Sequence, residues 1–141
     1  MAGKSDYWEN RLLDHILGAT ASSAPATVYV GLLTTAPNDA STSGSLSPGV
    51  EVTGGAYARV AVTNNATNWP AASGGAKANG TAITFPAPSA NWGIIVAFII
   101  ADVASGAGNI FYWGLITPNK TVNNNDPAPS FAVGDLDVTE D

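Results

Sequence analysis

The residues able to do chemistry are few, and their spacing restricts them further. Cysteine is absent and His15 is the single histidine. That leaves no Cys-His dyad, no multi-histidine zinc site and no Ser-His pairing elsewhere in the chain. Asp135 and Asp137 sit two apart, so a strand turns both carboxylates to one side, where they can share a cation. A hard cation needs several converging oxygens, and with Glu140 and Asp141 close by a solvated acidic tail is the simpler reading. Asp102 follows an apolar run and can be drawn as a general base, yet the Val-Ala-Ser-Gly after it suits an Asx turn. Gly54-Gly55 and Gly74-Gly75 lack the strand–glycine–helix setting and the Lys-Ser/Thr ending of a phosphate loop. No catalytic residue, cofactor or metal site is assigned, and the chain is expected not to be an enzyme.

Binding chemistry has better candidates. Trp113 lies in a core-like run and reads as buried, and Trp92 caps a strand entry. Trp69 stands in a polar loop, where an aromatic ring either anchors a contact or is buried. Arg59 is one of only five basic residues and is expected to pair with Asp102 or Glu51.

Composition narrows the partners. The 141 residues carry a formal charge of −6, and five Lys+Arg are too few for a nucleic-acid surface. Charged residues make up 11%, against about 25% in an ordinary soluble domain. A surface of Ala, Ser, Thr, Asn and Gly repels identical copies weakly, which suits a protein packed against neighbours. The most apolar run, Trp92 to Ala101, has about half the length a membrane helix needs. The N-terminus enters an amphipathic stretch without an apolar signal core, so synthesis in the cytoplasm and no membrane partner are expected.

The positioning elements follow from periodicity. Asp6 as cap, Glu9 three residues on, and Trp8, Leu12, Leu13, Ile16 and Leu17 at helical spacing predict one helix ending at Gly18. At about twelve residues it is marginal alone and must dock, on its own domain or on a partner. Residues 1–24 are taken as a helical arm and linker, and 25–141 as a β domain. In the latter, strands are predicted at Val28–Leu33, Tyr57–Thr63, Thr81–Phe85, Ile94–Ala101, Ile110–Ile116, Ser130–Val133 and Leu136–Thr139. Ile94–Ala101 reads as a strand covered on both faces and hairpinned to the next. The fold class is mainly β, an antiparallel β-sandwich with a short N-terminal α-helix.

The ordered motifs Tyr29-Val30-Gly31-Leu32-Leu33-Thr34-Thr35-Ala36-Pro37 and Glu51-Val52-Thr53-Gly54-Gly55-Ala56-Tyr57-Ala58-Arg59-Val60 resemble a family of small tailed-phage virion proteins. Ile83-Thr84-Phe85-Pro86, Trp92-Gly93, Ile100-Ala101-Asp102 and Tyr112-Trp113-Gly114-Leu115 continue the resemblance over nearly the whole chain. It implies a virion structural protein without catalytic residues. The reading placed first is a jelly-roll-like capsid cement or decoration protein on the capsid exterior. It would bind the major capsid protein and form a homo-oligomer, a trimer ahead of a dimer. The alternative is a tail-fibre or head-fibre module, with Trp69, Tyr57 and Asn-rich loops stacking on a host glycan. Interface candidates are Tyr7, Trp8, Leu12 and Ile16 in the arm, and Asp39 and Trp69 in the loops.

Overall fold

The computed structural model describes residues 2–140, with ten strands and one helix among them. The sheet is organised around β7 (Gly93–Ala101), which is buried on both faces from Ala97 to Ala101 as its composition predicts, whereas Ile94 at its start is exposed. Ile95, Phe98 and Ile100 enter the main core, while Ala97 and Ile99 join Leu33 and Ile110 in a smaller cluster across the sheet. β7 pairs antiparallel with β2 (Thr27–Thr35) and with β8 (Ile110–Val122), so the expected hairpin is present. Asp102 closes that hairpin by accepting from the backbone and side-chain amides of Asn109, each at 2.7 Å.

The turn residues around Pro118 predict a loop after Ile116, but β8 runs on to Val122. Its pairing jumps from Ala97↔Leu115 to Ile95↔Lys120, so the intervening residues bulge out. Pro118 sits among them, where its missing N–H costs no ladder bond. The outer edge of β8 carries β1 (Ala2–Lys4), and the free edge of β2 carries β3 (Val50–Glu51) and β4 (Val60–Thr63) in succession. β1 brings the first residues of the segment read as an arm into the main sheet.

The second layer is not a continuous sheet. It consists of two ribbons, β5 (Ala76–Ala78) with β10 (Asp137–Thr139) and β6 (Ile83–Thr84) with β9 (Ser130–Phe131), and the loops between them. Ile83, Leu136 and Val138 from the ribbon segments and Val52, Trp69, Phe85 and Trp92 from loops share one core with Val28, Val30, Leu32 and Phe98. The fold is mainly β and antiparallel, as the strand pattern predicts.

The helix α1 spans Asp6–Leu17 and is capped by Ser5, not by Asp6. Ser5 Oγ accepts from the Trp8 N–H at 3.4 Å and donates to the Ile110 carbonyl, and the Ser5 N–H reaches the Phe111 carbonyl at 3.2 Å. The cap is therefore chosen by the β8 backbone beside it, and Asp6 is left as the first helical residue. Gly18 ends the helix as expected, its N–H donating to the Asp14 carbonyl at 2.9 Å. The helix is not long and apolar enough to cross a membrane.

A layer of loops must satisfy its own backbone. Asn79, only 2% exposed, does so at the ribbon junction. Its Nδ2 donates to the Thr81 and Ala132 carbonyls, each at 2.8 Å, and its Oδ1 accepts from the Leu136 N–H at 2.9 Å. Asn79→Ala leaves those groups unpaired and is expected to cost about 1–3 kcal/mol in denaturant unfolding. Asn79→Asp turns a donor into an acceptor facing two carbonyls and should cost at least as much. Wild-type stability in either variant would show that the junction does not depend on this side chain.

Candidate interaction surface

Two polar networks organise the molecule. In the first, Arg59 donates from Nε to Glu51 Oε1 and from Nη2 to Glu51 Oε2, both at 2.8 Å, a bidentate pair. Nη1 also reaches the Val103 carbonyl at 2.9 Å and Nη2 the Ser43 carbonyl at 3.3 Å, so one guanidinium ties two loops to β3. The Tyr57 hydroxyl donates to Glu51 Oε1 at 2.7 Å and accepts from the Leu32 N–H at 2.8 Å. Gly31 makes room for the cluster, since a Cβ there would stand 2.9 Å from Glu51 Oε1 and 3.1 Å from the Tyr57 hydroxyl. Alternation predicts a strand from Tyr57, yet pairing begins only at Val60, because Tyr57 and Arg59 are committed to Glu51. Burial, and then the Glu51 charge, push the Tyr57 hydroxyl pKa well up. Burial alone would lower the Arg59 pKa, but the hydrogen bonds and charge of Glu51 outweigh it and raise it.

The second network joins the two ends of the described chain. Trp8 Nε1 donates to the Tyr112 hydroxyl at 2.9 Å, and Tyr112 donates to Glu140 Oε1 at 2.8 Å. Lys4 Nζ pairs with Glu140 Oε2 across 136 positions of sequence. The hydrogen bond to Glu140 raises the Lys4 pKa, while burial and then Glu140 raise that of Tyr112. Beneath this clamp lies a cavity of about 470 Å³, walled mainly by Trp8, Val28, Trp69, Ile100, Phe111 and Val138.

The expected interface residues separate into groups. Tyr7 and Trp8 are half-buried on their own domain, their rings 6.1 Å and 5.4 Å from that of Phe111. Leu12 and Ile16 are exposed, as are Leu13 and Leu17, with Leu13 at 56%, Ile16 at 68% and Leu17 at 81%. The first turn of α1 thus docks at home and the later turns carry an uncovered apolar stripe. Asp39 holds the helix entry, its carbonyl accepting from the Asp6 N–H at 2.8 Å and its Oδ1 from Trp113 Nε1 at 3.1 Å. Of the two readings of Trp69, the structure shows the buried one, for it is 8% exposed and part of the core. Its loop is turned inwards by Asn65, which accepts at Oδ1 from the Thr67 and Asn68 N–H groups and holds the Trp69 N–H through its carbonyl. Tyr57 is half-buried, with its hydroxyl spent on Glu51. Asp135 accepts from the Ala132 N–H at 3.1 Å, within its own turn. Lys4, Tyr112 and Glu140 carry no sequence signal, since nothing local relates positions so far apart.

A low-charge antiparallel β domain whose polar clusters brace loops and whose helix presents an apolar stripe has the make-up of a structural protein of a larger assembly. The family model described as Podophage GP4 fiber I protein gp80 matches residues 3–139, and the chain belongs to this family of phage virion structural proteins. No curated protein matches it.

Two outcomes follow from the networks. Arg59→Met strands Glu51 and is expected to cost about 3 kcal/mol by chemical denaturation, and the Glu51→Leu/Arg59→Met double variant should recover only the share due to the stranded charge, because the Ser43 and Val103 carbonyls and the Tyr57 hydroxyl still lose their partners. Tyr57, Tyr112 and Lys4 all have folded pKa values above their unfolded ones. Their stabilisation is complete below the unfolded values of about 10 and is lost as pH rises through the folded values. Unfolding free energy should be level from about pH 8 to 9.5 and fall above about pH 10, less steeply in Tyr57→Phe than in wild type. A flat profile to pH 11 would contradict these shifts.

Proposed function

We propose that the protein is a building module of a phage fibre, joined to its neighbours through the apolar stripe of α1. The stripe carries the reading: Leu13, Ile16 and Leu17 lie on one face and are left uncovered by their own domain. Burying each is worth about 1.5–3 kcal/mol, a gain available only to an assembled particle. The fibre description of the family supports the same location.

The module is read as non-catalytic, because Asp102, Asp135 and Glu51, the carboxylates best placed for chemistry, are engaged in turns or in an ion pair. A glycan-binding role loses one of the stacking residues named for it, Trp69, to the core. The capsid-decoration role, with the major capsid protein as partner and the capsid exterior as location, is the second reading. Low surface charge and a helix with an uncovered face serve it equally well.

Immunogold labelling of intact virions tests the choice. Gold confined to fibres, in few copies, is the expected result; gold spread evenly over the head would replace the fibre reading with decoration. Particles assembled with the Ile16→Asp variant should lose at least about nine-tenths of the labelled protein, a tenfold loss of occupancy. Undiminished labelling would remove the stripe from the assembly contact.

A further inference from the structure

The arm formed by β1 and α1 is held on its own domain through β1 and the first helical turn. Ala2–Lys4 pair with Tyr112–Gly114 of β8, Ser5 bonds the Ile110 and Phe111 carbonyls, and Trp8 donates to the Tyr112 hydroxyl. No residue of α1 is itself buried, and from Leu12 onwards its apolar side chains stand exposed. The chain then reverses at Ala19, whose φ of +56° is a left-handed conformation that suits glycine and strains an alanine. The reversal lays the linker back along the helix, where three hydrogen bonds hold it. The Thr20 N–H donates to the Asp14 carbonyl, Arg11 Nε to Ser22 Oγ, and the Ser22 N–H to His15 Nδ1. Water replaces bonds at such a surface with little net loss when the linker opens. Strain at Ala19 thus opposes a few surface bonds, and the folded-back and extended linkers lie close in free energy.

The site that receives the arm fits the arm of any copy of this chain as well as its own. The edge of β8, the Tyr112 hydroxyl and Glu140 need no new complementarity, because each contact is one already made within a single chain. We infer that copies of this chain exchange arms: β1 and the first turn of α1 of one copy dock on β8 of another, with Lys4 of the first against Glu140 of the second. Residues 18–26, once extended, span up to roughly 30 Å, enough to reach a neighbouring copy. Reciprocal exchange closes a dimer, and one-way exchange runs on as a filament. Exchange also gives the stripe a place. α1 then starts on a neighbour's sheet and ends at its own linker, so Leu13, Ile16 and Leu17 fall between two bodies. The exchange uses contacts other than the stripe, so it goes beyond the reading above and does not rest on it.

Carbodiimide coupling of the wild-type chain tests the exchange, because it condenses an amine and a carboxylate already in contact, as Lys4 and Glu140 are. Equal amounts of unlabelled and isotope-labelled chain are unfolded, refolded together at high concentration and coupled, and the joined Lys4–Glu140 peptide is weighed. Mixed light–heavy peptides are expected, rising to about half of the total when every arm is exchanged. Joined peptides that are all light or all heavy overturn the inference. Hinge variants at the exposed Ala19 give a second reading without touching the core. Ala19→Gly relieves the folded-back arm and should weaken association, followed by sedimentation velocity, at least about fivefold. Ala19→Pro cannot adopt a positive φ, removes an N–H that has no described acceptor, and should strengthen association by at least as much. Association that ignores both substitutions overturns the exchange. If the arms stay at home while Ile16→Asp is still lost from virions, the exchange fails and the stripe keeps its part in assembly.

Discussion

One constraint shapes this protein: the main sheet must be covered by segments that are mostly loop. A second sheet would satisfy its backbone by pairing, but two short ribbons leave long stretches of N–H and C=O groups near an apolar core. Side chains take over that work. Arg59 gathers the carbonyls of Ser43 and Val103, Asn79 serves three backbone groups at the ribbon junction, and Ser41 Oγ bridges Asn38, Leu46 and Ser47. Each is buried, polar and fully used. Arg59 and Asp102, which stand out in the sequence for their chemistry, are consumed in holding loops in place.

That division explains what the sequence displays and what it conceals. β7 is legible because a run of β-branched residues too short for a buried helix has one stable use. Its hairpin with β8 is legible because turn residues separate two such runs. α1 is legible from its spacing, although its cap shifts by one residue, since Ser5 is selected by carbonyls of β8 that no local pattern announces. β1, β3 and β5 are too short to carry a period, and their pairing is decided by partners distant in sequence. Trp69 misleads for a related reason. A polar loop around a tryptophan reads as surface, whereas Asn65 and its neighbours turn the loop inwards and deliver the ring to the core.

The candidate surface was legible in part. The apolar stripe of α1 can be read from residue spacing, and so can the need to cover it. Which part is covered at home cannot, because that depends on the ring of Phe111 and the hydroxyl of Tyr112, both brought there by the hairpin. The scarcity of basic residues suggests an acid partner for Arg59, such as Glu51 or Asp102, and geometry selects Glu51 because Asp102 is already committed to Asn109.

The exposed end of α1 is held in position, not left to fray. A helix of this length is marginal in isolation, yet its last turns are tied to the following linker. Arg11 Nε donates to Ser22 Oγ at 2.6 Å, and the Ser22 N–H donates to His15 Nδ1 at 3.2 Å. The lone histidine, which suggests chemistry on first sight, thus fixes the chain beyond the helix against the helix itself. An apolar stripe presented on a braced helix pays little ordering entropy when it docks, and a chain with only 11% charged residues sets up little repulsion against a neighbouring surface. Bracing, low charge and an uncovered stripe act together: each lowers the cost of association while leaving the isolated domain folded around its own sheet.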